Sequence, residues 1–343
     1  MKKHRLGYLD SARGLAAILV LIFHAILTFS KKDITLQTAA DFFEIYFDLG
    51  KIAVIVFFII SGFVIPYSIR GEGMDAVKNF GISRFFRLYP VYWVSAILGF
   101  ILFPGFSILE LVLNFTMLQQ FIGVKNIIGL YWTLQIELVF YFLIVFVFLM
   151  KKLSDKKFLF LISLAFLIIA LCMAFVRYQM DIKLPLALPL ALSIMFFGSY
   201  YRYVLLDEDP KAKTYSKIYL YCFFVLMPII NILGYNKDMG FNESWYKYTI
   251  TYYTGMILFL AIGKFKITSG LLEYFGKISY SVYLFHPIAI FIIQHAFPQL
   301  NGFLLVLLVL LFTIGFSHLT YVLVEKPSIA LGRKVKSYNE AKA

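Results

Sequence analysis

Residues 8–29 read YLDSARGLAAILVLIFHAILTF. As an α-helix this stretch rises about 33 Å, close to the depth of a bilayer's hydrocarbon core. Most of it is aliphatic or aromatic, yet Asp10 and Arg13 stand near its start and His24 lies well inside it. An ionisable side chain in such a run is costly unless paired or hydrated, so it marks a site as well as a span. MKKHR before it resembles the head of a signal peptide. However, Asp10 and Arg13 interrupt the apolar run and no small-x-small cleavage site follows, so the stretch reads as an uncleaved first span.

Nine further runs of similar length follow, at 48–68, 84–103, 131–150, 158–176, 185–205, 216–233, 247–263, 279–297 and 303–324. Segment 108–122 (ILELVLNFTMLQQFI) is apolar but short, and Glu110, Asn114, Gln119 and Gln120 break it. It reads as an interfacial or re-entrant helix. Composition agrees with a membrane chain: the 343 residues are 61% hydrophobic and 15% charged, where soluble domains run near 45–50% and about 25%. A soluble enzyme, a disordered protein and a disulfide scaffold are excluded, and Cys172 and Cys222 fall inside spans.

The net charge of +13 alone is compatible with a nucleic-acid partner. Its distribution points elsewhere. With the N-terminus inside, the inner segments hold 23 of the 32 Lys and Arg, the outer segments hold 8, and Arg13 lies within the first span. The positive-inside rule then makes both termini cytoplasmic. The expectation is an all-α integral membrane protein of about ten transmembrane helices in one bundle. Residues 1–343 form a single membrane domain in this reading, with a core of about 8–328 and a short cytoplasmic tail, 329–343.

Depth along the spans sorts the ionisable residues into a polar column. Its inner mouth holds Arg84, Arg87, Arg13 and Lys326, with a counter-charge from Asp10 or Glu325. Ser61 lies past the middle toward the cytoplasm, and His286 about two turns in from the cytoplasmic end of the ninth span. His24 and Glu137 share the outer half, with Trp132 at the outer mouth. A basic inner mouth suits an anionic, phosphate-bearing cytosolic molecule. A His beside a carboxylate suits proton transfer near neutral pH. On position alone, Arg84 and Arg87 read equally as positive-inside anchors. Likewise His286, before Pro287, could hydrogen-bond within a kinked helix, and Asp10 and Arg13 could neutralise each other at i,i+3. His295 and His318 read as packing or interface residues.

YLDSARGLAAILVLIFH is followed in order by FFIISGF (57–63), SRFFRLYP (83–90), YWTLQIELVFY (131–141), SYSVYLFHP (279–287) and EKP (325–327). With these motifs the chain resembles membrane acyltransferase family 3 from residue 8 to about residue 328. The resemblance implies transfer of an acyl group, most often acetyl, from cytosolic acyl-coenzyme A to a hydroxyl of an extracytoplasmic glycan, at the cytoplasmic (inner) membrane. It implies that the required Arg-x10-His pair falls on Arg13 and His24. The donor-side Arg-x-x-Arg falls on Arg84 and Arg87, the Ser-Gly-Phe segment on Ser61, Gly62 and Phe63, and the fourth-span Trp and Glu on Trp132 and Glu137. His286, Asp10 and Glu325 are supporting positions. Some relatives carry an added extracytoplasmic domain after the last span, which this chain is expected to lack.

The implied mechanism has Arg84 and Arg87 holding the donor's phosphates and Arg13 orienting its arm. His24 is the general base on the acceptor hydroxyl with Glu137 beside it; a covalent acyl-His intermediate is the competing version. Expected partners are acyl-CoA as co-substrate, a glycan or lipid-linked sugar as acceptor, and membrane lipids. No nucleic acid, no permanently bound cofactor and no metal are expected. The rival class is a transporter or flippase using Glu137 and His24 as a proton relay. Its mark is an inverted repeat, and the concentration of polar residues in spans one to four shows no such symmetry.

Overall fold

A computed structural model describes residues 6–237 and 244–342 of the chain, with side chains as far as Ser337. The inner-segment charges Lys2, Lys3 and Arg5, and the side chain of Lys342, lie outside the described residues. Every regular element among the described residues is helical. In chain order these are α1 (Gly7–Phe29), α2 (Ile34–Tyr46), α3 (Leu49–Val64), α4 (Gly73–Leu102) and α5 (Ile108–Asn114). They continue with α6 (Trp132–Leu149), α7 (Lys156–Met180), α8 (Ala187–Asp207), α9 (Pro210–Gly234) and α10 (Trp245–Phe265). Last come α11 (Gly270–Ala296), α12 (Gly302–Thr320) and α13 (Lys326–Lys342).

Each of the ten apolar runs falls on a helix, and eight helices among the described residues are long and apolar enough to cross a membrane. Large apolar side chains such as Ile101, Phe142, Ile168 and Leu311 are exposed on them, as lipid contact requires. The other two runs, on α8 and α10, fall short for a physical reason. From Pro189 to Tyr200 every residue of α8 is buried, so protein surrounds this helix and Ser193, Ser199 and Tyr200 can replace aliphatic residues. Ten residues of α10 are buried as well, Lys247, Tyr248, Thr249 and Thr251 among them.

Helix starts differ from the apolar runs wherever the first turns are polar. Helix α4 begins at Gly73 rather than near 84, α9 at Pro210 rather than near 216, and α11 at Gly270 rather than near 279. Capping explains α9: the Asp209 carboxylate accepts from the Ala212 N–H, and Pro210 occupies the first turn, where its missing N–H costs nothing. Consequently Arg84 and Arg87 do not open a helix but lie in the interior of a continuous 30-residue one. His286 likewise lies beyond the middle of α11, not two turns from its start.

Segment 108–122 is also not one helix. A capping box between Ser107 and Glu110 starts α5, which ends after seven residues, and a 3-10 turn follows at Gln119–Ile122. The polar residues that break the apolar pattern are anchors. Asn114 is fully buried and donates to the carbonyls of Glu110 (2.8 Å) and Lys125 (3.1 Å) while accepting from the Ile127 N–H (3.1 Å). Gln119 and Gln135 both donate to the Asn126 side-chain oxygen, at 2.7 and 2.8 Å.

The chain divides into two compact units. The first comprises residues 1–20, 38–67 and 139–276. Within it α3 packs on α8 and α10, and α7 packs on α8 and α9. Glycines set the α3–α8 crossing: a Cβ on Gly62 would lie 1.8 Å from the Met195 carbonyl oxygen, and one on Gly198 would lie 2.3 Å from that of Ile59. Small residues of this kind let helix backbones touch.

The second unit comprises residues 21–37, 68–138 and 277–343. Here α4 packs on α13, and α12 passes into α13 through a π turn at Tyr321–Glu325 that contacts α4. Helix α11 is tied to α4 by two bonds to main-chain carbonyls: the Tyr280 hydroxyl donates to Leu88 (3.0 Å) and the Ser95 hydroxyl to Leu284 (3.2 Å).

Candidate active site

Two histidines meet in the second unit. Helix α1 brings His24 and α11 brings His286, and His24 Nδ1 lies 3.0 Å from His286 Nε2 with the rings nearly parallel (12°). His286 has no exposed surface. Its Nδ1 lies 3.1 Å from the Val282 carbonyl oxygen, and the imidazole also interacts with the Tyr283 backbone. The Tyr283 carbonyl has lost its helical donor, because Pro287 has no N–H to give. Pro287 therefore does more than kink the helix: it frees a backbone acceptor beside the imidazole.

Both histidines line a cavity of about 310 Å³ together with Thr28, Phe103, Leu130, Phe291 and Gln294 among others. Among the described residues that line it there is no Asp, Glu, Lys or Arg. Phe103 and Phe291 form part of its wall in edge-to-face contact, with ring centroids 4.9 Å apart. One turn before His286, the Tyr283 hydroxyl pairs with Thr133 (2.7 Å) and donates to the Leu130 carbonyl (2.9 Å). Glu137, half-buried on α6, acts electrostatically on that same Tyr283. Trp132, also half-buried, is the first residue of α6.

A charged site lies further along the same helices of this unit. The π turn carries Glu325 into the interior, where it is 1% exposed and accepts a hydrogen bond from Ser281 (3.1 Å). Arg87 is the basic group that acts on this carboxylate. One turn earlier on α4, the Arg84 guanidinium sits over the Phe80 ring, 5.4 Å from its centroid. Of the two counter-charges left open by the sequence, Glu325 is the one beside Arg87, while Lys326 is exposed. Along α11, Ser281 and His286 are five residues apart, roughly 7.5 Å of rise.

Asp10, Arg13 and Ser61 belong to the first unit. There α1 crosses the start of α11 so closely that a Cβ on Gly14 would lie 2.0 Å from the Leu272 carbonyl oxygen, and one on Gly276 would lie 2.1 Å from that of Asp10. Asp10 and Arg13 are half-buried on this turn of α1. Ser61 is half-buried too, and the Gly62 after it makes the contact with α8. Charge counting treats Arg202 of α8 only as a topological residue. The structure sets its guanidinium over the rings of Phe63 and Tyr67, at 5.2 and 4.4 Å, with a hydrogen bond to the Phe63 carbonyl. A basic group that the motifs do not contain thus lies beside the Ser-Gly-Phe segment. Its only signal in the sequence is an arginine among aromatic residues at the end of a run.

Comparison with known proteins decides the class of this site. The family model described as "Acyltransferase domain" matches residues 6–322, nearly the whole chain. The chain belongs to this acyltransferase family. Membership favours the transferase reading over the transporter one, and the apolar helices make the chain a multi-pass membrane protein of this family. A curated relative, "Acyltransferase MdmB" of Streptomyces mycarofaciens, is 36% identical over 106 residues. That match spans 27% of this chain and 27% of the relative. No solved structure matches the chain.

Proposed function

We propose that the chain is an O-acyltransferase of the cytoplasmic membrane, with both termini in the cytoplasm. It moves an acetyl or related acyl group from acyl-CoA to a hydroxyl of a glycan or lipid-linked sugar. The observation that carries this reading is a hydrogen-bonded histidine pair on an uncharged cavity, in a member of an acyltransferase family. Arg84 and Arg87 bind donor phosphates, since guanidinium groups hold phosphate in forked geometry. The acceptor hydroxyl enters the cavity. His24 takes its proton, the hydroxyl oxygen attacks the thioester carbonyl, the C–S bond breaks, and the thiolate leaves as coenzyme A on taking up a proton. Arg13, three turns before His24 on α1, orients the donor arm, and Glu137 steadies the acceptor side through Tyr283. Because the lining carries no charge, it favours an acceptor presented by its neutral, apolar face.

Membranes containing the chain, supplied with labelled acetyl-CoA, should transfer label to a glycan or glycolipid fraction. His24→Ala should abolish the transfer while the protein still inserts and elutes as a single species. Retained transfer in that variant would refute the assignment of His24. Single-turnover release of coenzyme A without acceptor identifies a covalent acyl-His route instead of direct attack.

A further inference from the structure

We propose that His286 is a positioning residue that fixes His24 in its Nδ1–H form, so that His24 presents an unprotonated Nε2 for the reaction. The argument starts from a group that can only accept. The Val282 carbonyl, 3.1 Å from His286 Nδ1, requires a proton on that nitrogen. The Tyr283 backbone also interacts with this imidazole. A neutral His286 with its proton on Nδ1 carries a lone pair on Nε2. Across 3.0 Å that lone pair faces His24 Nδ1, which must then be the donor. A neutral His24 with its proton on Nδ1 has its lone pair on Nε2. The reverse polarity needs a doubly protonated His286, a charge at a position with no exposed surface, which is costly.

The fixed backbone of one helix thus sets the protonation pattern of a side chain on another, in the way an acceptor behind a catalytic histidine selects its tautomer. A residue that only filled space could leave His24 in either form.

The first arm of the test does not depend on the acyl-transfer reading. The chain holds five histidines, few enough for [15N]histidine NMR of the full-length protein in lipid nanodiscs. The His24 signals are identified by their loss in His24→Gln. They should show a protonated Nδ1 and a bare Nε2 at neutral pH, and His286→Leu should release that preference. A bare Nδ1 on His24, or a His24 tautomer unchanged in His286→Leu, would overturn the proposal. The second arm, which rests on the acyl-transfer reading, measures transfer from acetyl-CoA in membranes of the native cells. His286→Leu should lower kcat by about 10²-fold with little change in KM for acetyl-CoA, within the range of a lost base function. His286→Gln, whose Oε1 can accept the same hydrogen bond, should recover about tenfold or more of that loss. Equal loss in both variants would count against positioning. A wild-type chain that transfers nothing from acetyl-CoA would sink the transfer reading while the NMR arm still decides the tautomer.

Discussion

Substituting Gly62→Ala tests whether the Ser-Gly-Phe segment is shaped by packing. The added methyl would stand 1.8 Å from the Met195 carbonyl oxygen, 2.6 Å from the carbonyl carbon and 2.8 Å from Cα. All three are backbone atoms, so no side-chain rotation relieves the clash. Restoring an ordinary contact means moving α3 and α8 apart by roughly 1 Å or more, which a densely packed interior resists. Helix α8 has little slack, being buried at every position from Pro189 to Tyr200. Overpacking typically costs 1–3 kcal/mol, and a rigid obstruction places this case near the top, about 3 kcal/mol. At roughly 2 °C per kcal/mol for a chain of this size, the loss is about 6 °C in Tm. Gly315→Ala is the control, because a Cβ there meets nothing within 4 Å. Alanine is the better helix former by about 1 kcal/mol, so that variant should match or exceed wild type. Fluorescence-detected size exclusion after heating purified protein in detergent reads both. The packing argument fails if Gly62→Ala melts with wild type, or if it stays fully stable and loses only activity.

Three further outcomes are expected. Arg87→Leu should destabilise the protein by about 3 kcal/mol by stranding the buried Glu325 carboxylate, and adding Glu325→Leu should recover part of the loss; a double variant less stable than the single one contradicts the pairing. Asn114→Leu should leave the Ile127 N–H and the Lys125 carbonyl without their partner, at about 1–3 kcal/mol each, and limited proteolysis should then cut between 104 and 128; unchanged resistance refutes the anchor role. The Asp155 carboxylate, which accepts from the Phe158 N–H and from Lys152, is held below its ordinary value. So is that of Asp209, which is bonded to Lys156 and accepts from the Ala212 N–H. With folded pKa values depressed, their stabilisation is complete above the unfolded value near 4 and is lost as pH falls through the lower folded values. Asp209→Asn keeps a capping oxygen but not the charge, so it should flatten the fall of Tm below about pH 4, and an unchanged slope would refute this.

Hydropathy located every long apolar helix but not the polar α13, because the cost of exposing polar backbone to lipid acts residue by residue only where the chain meets lipid. The runs of α8 and α10 are less apolar because their surroundings are protein, and hydropathy missed the first turns of α4, α9 and α11, where caps and packing rather than apolarity make the helix. In the site, ionisable residues inside apolar runs single out His24 and Glu137, and those at the ends of runs include Arg84, Arg87 and Glu325. Their pairings were another matter. His24 and His286 lie 262 residues apart, and no local pattern reports a contact across that separation. Depth counted along the spans separates His24 from His286, whereas the structure brings two of their ring nitrogens to 3.0 Å. The burial of Glu325 depends on one π turn, which leaves no trace in composition.

That π turn acts as a phase shifter between α12 and α13. It holds one residue more than an α-helical turn would use. Were the same five residues to wind as an ordinary α-helix instead, everything after them would turn by about 100°. Gly332, where a Cβ would sit 2.8 Å from that of Phe86, would leave α4 and a bulkier neighbour would face it. The same rotation would aim a different side chain at Ser281 and Arg87. The wide winding of this short turn therefore sets the angular register of the C-terminal helix, and substitutions at Val322 or Leu323, which are exposed, should leave that register unchanged.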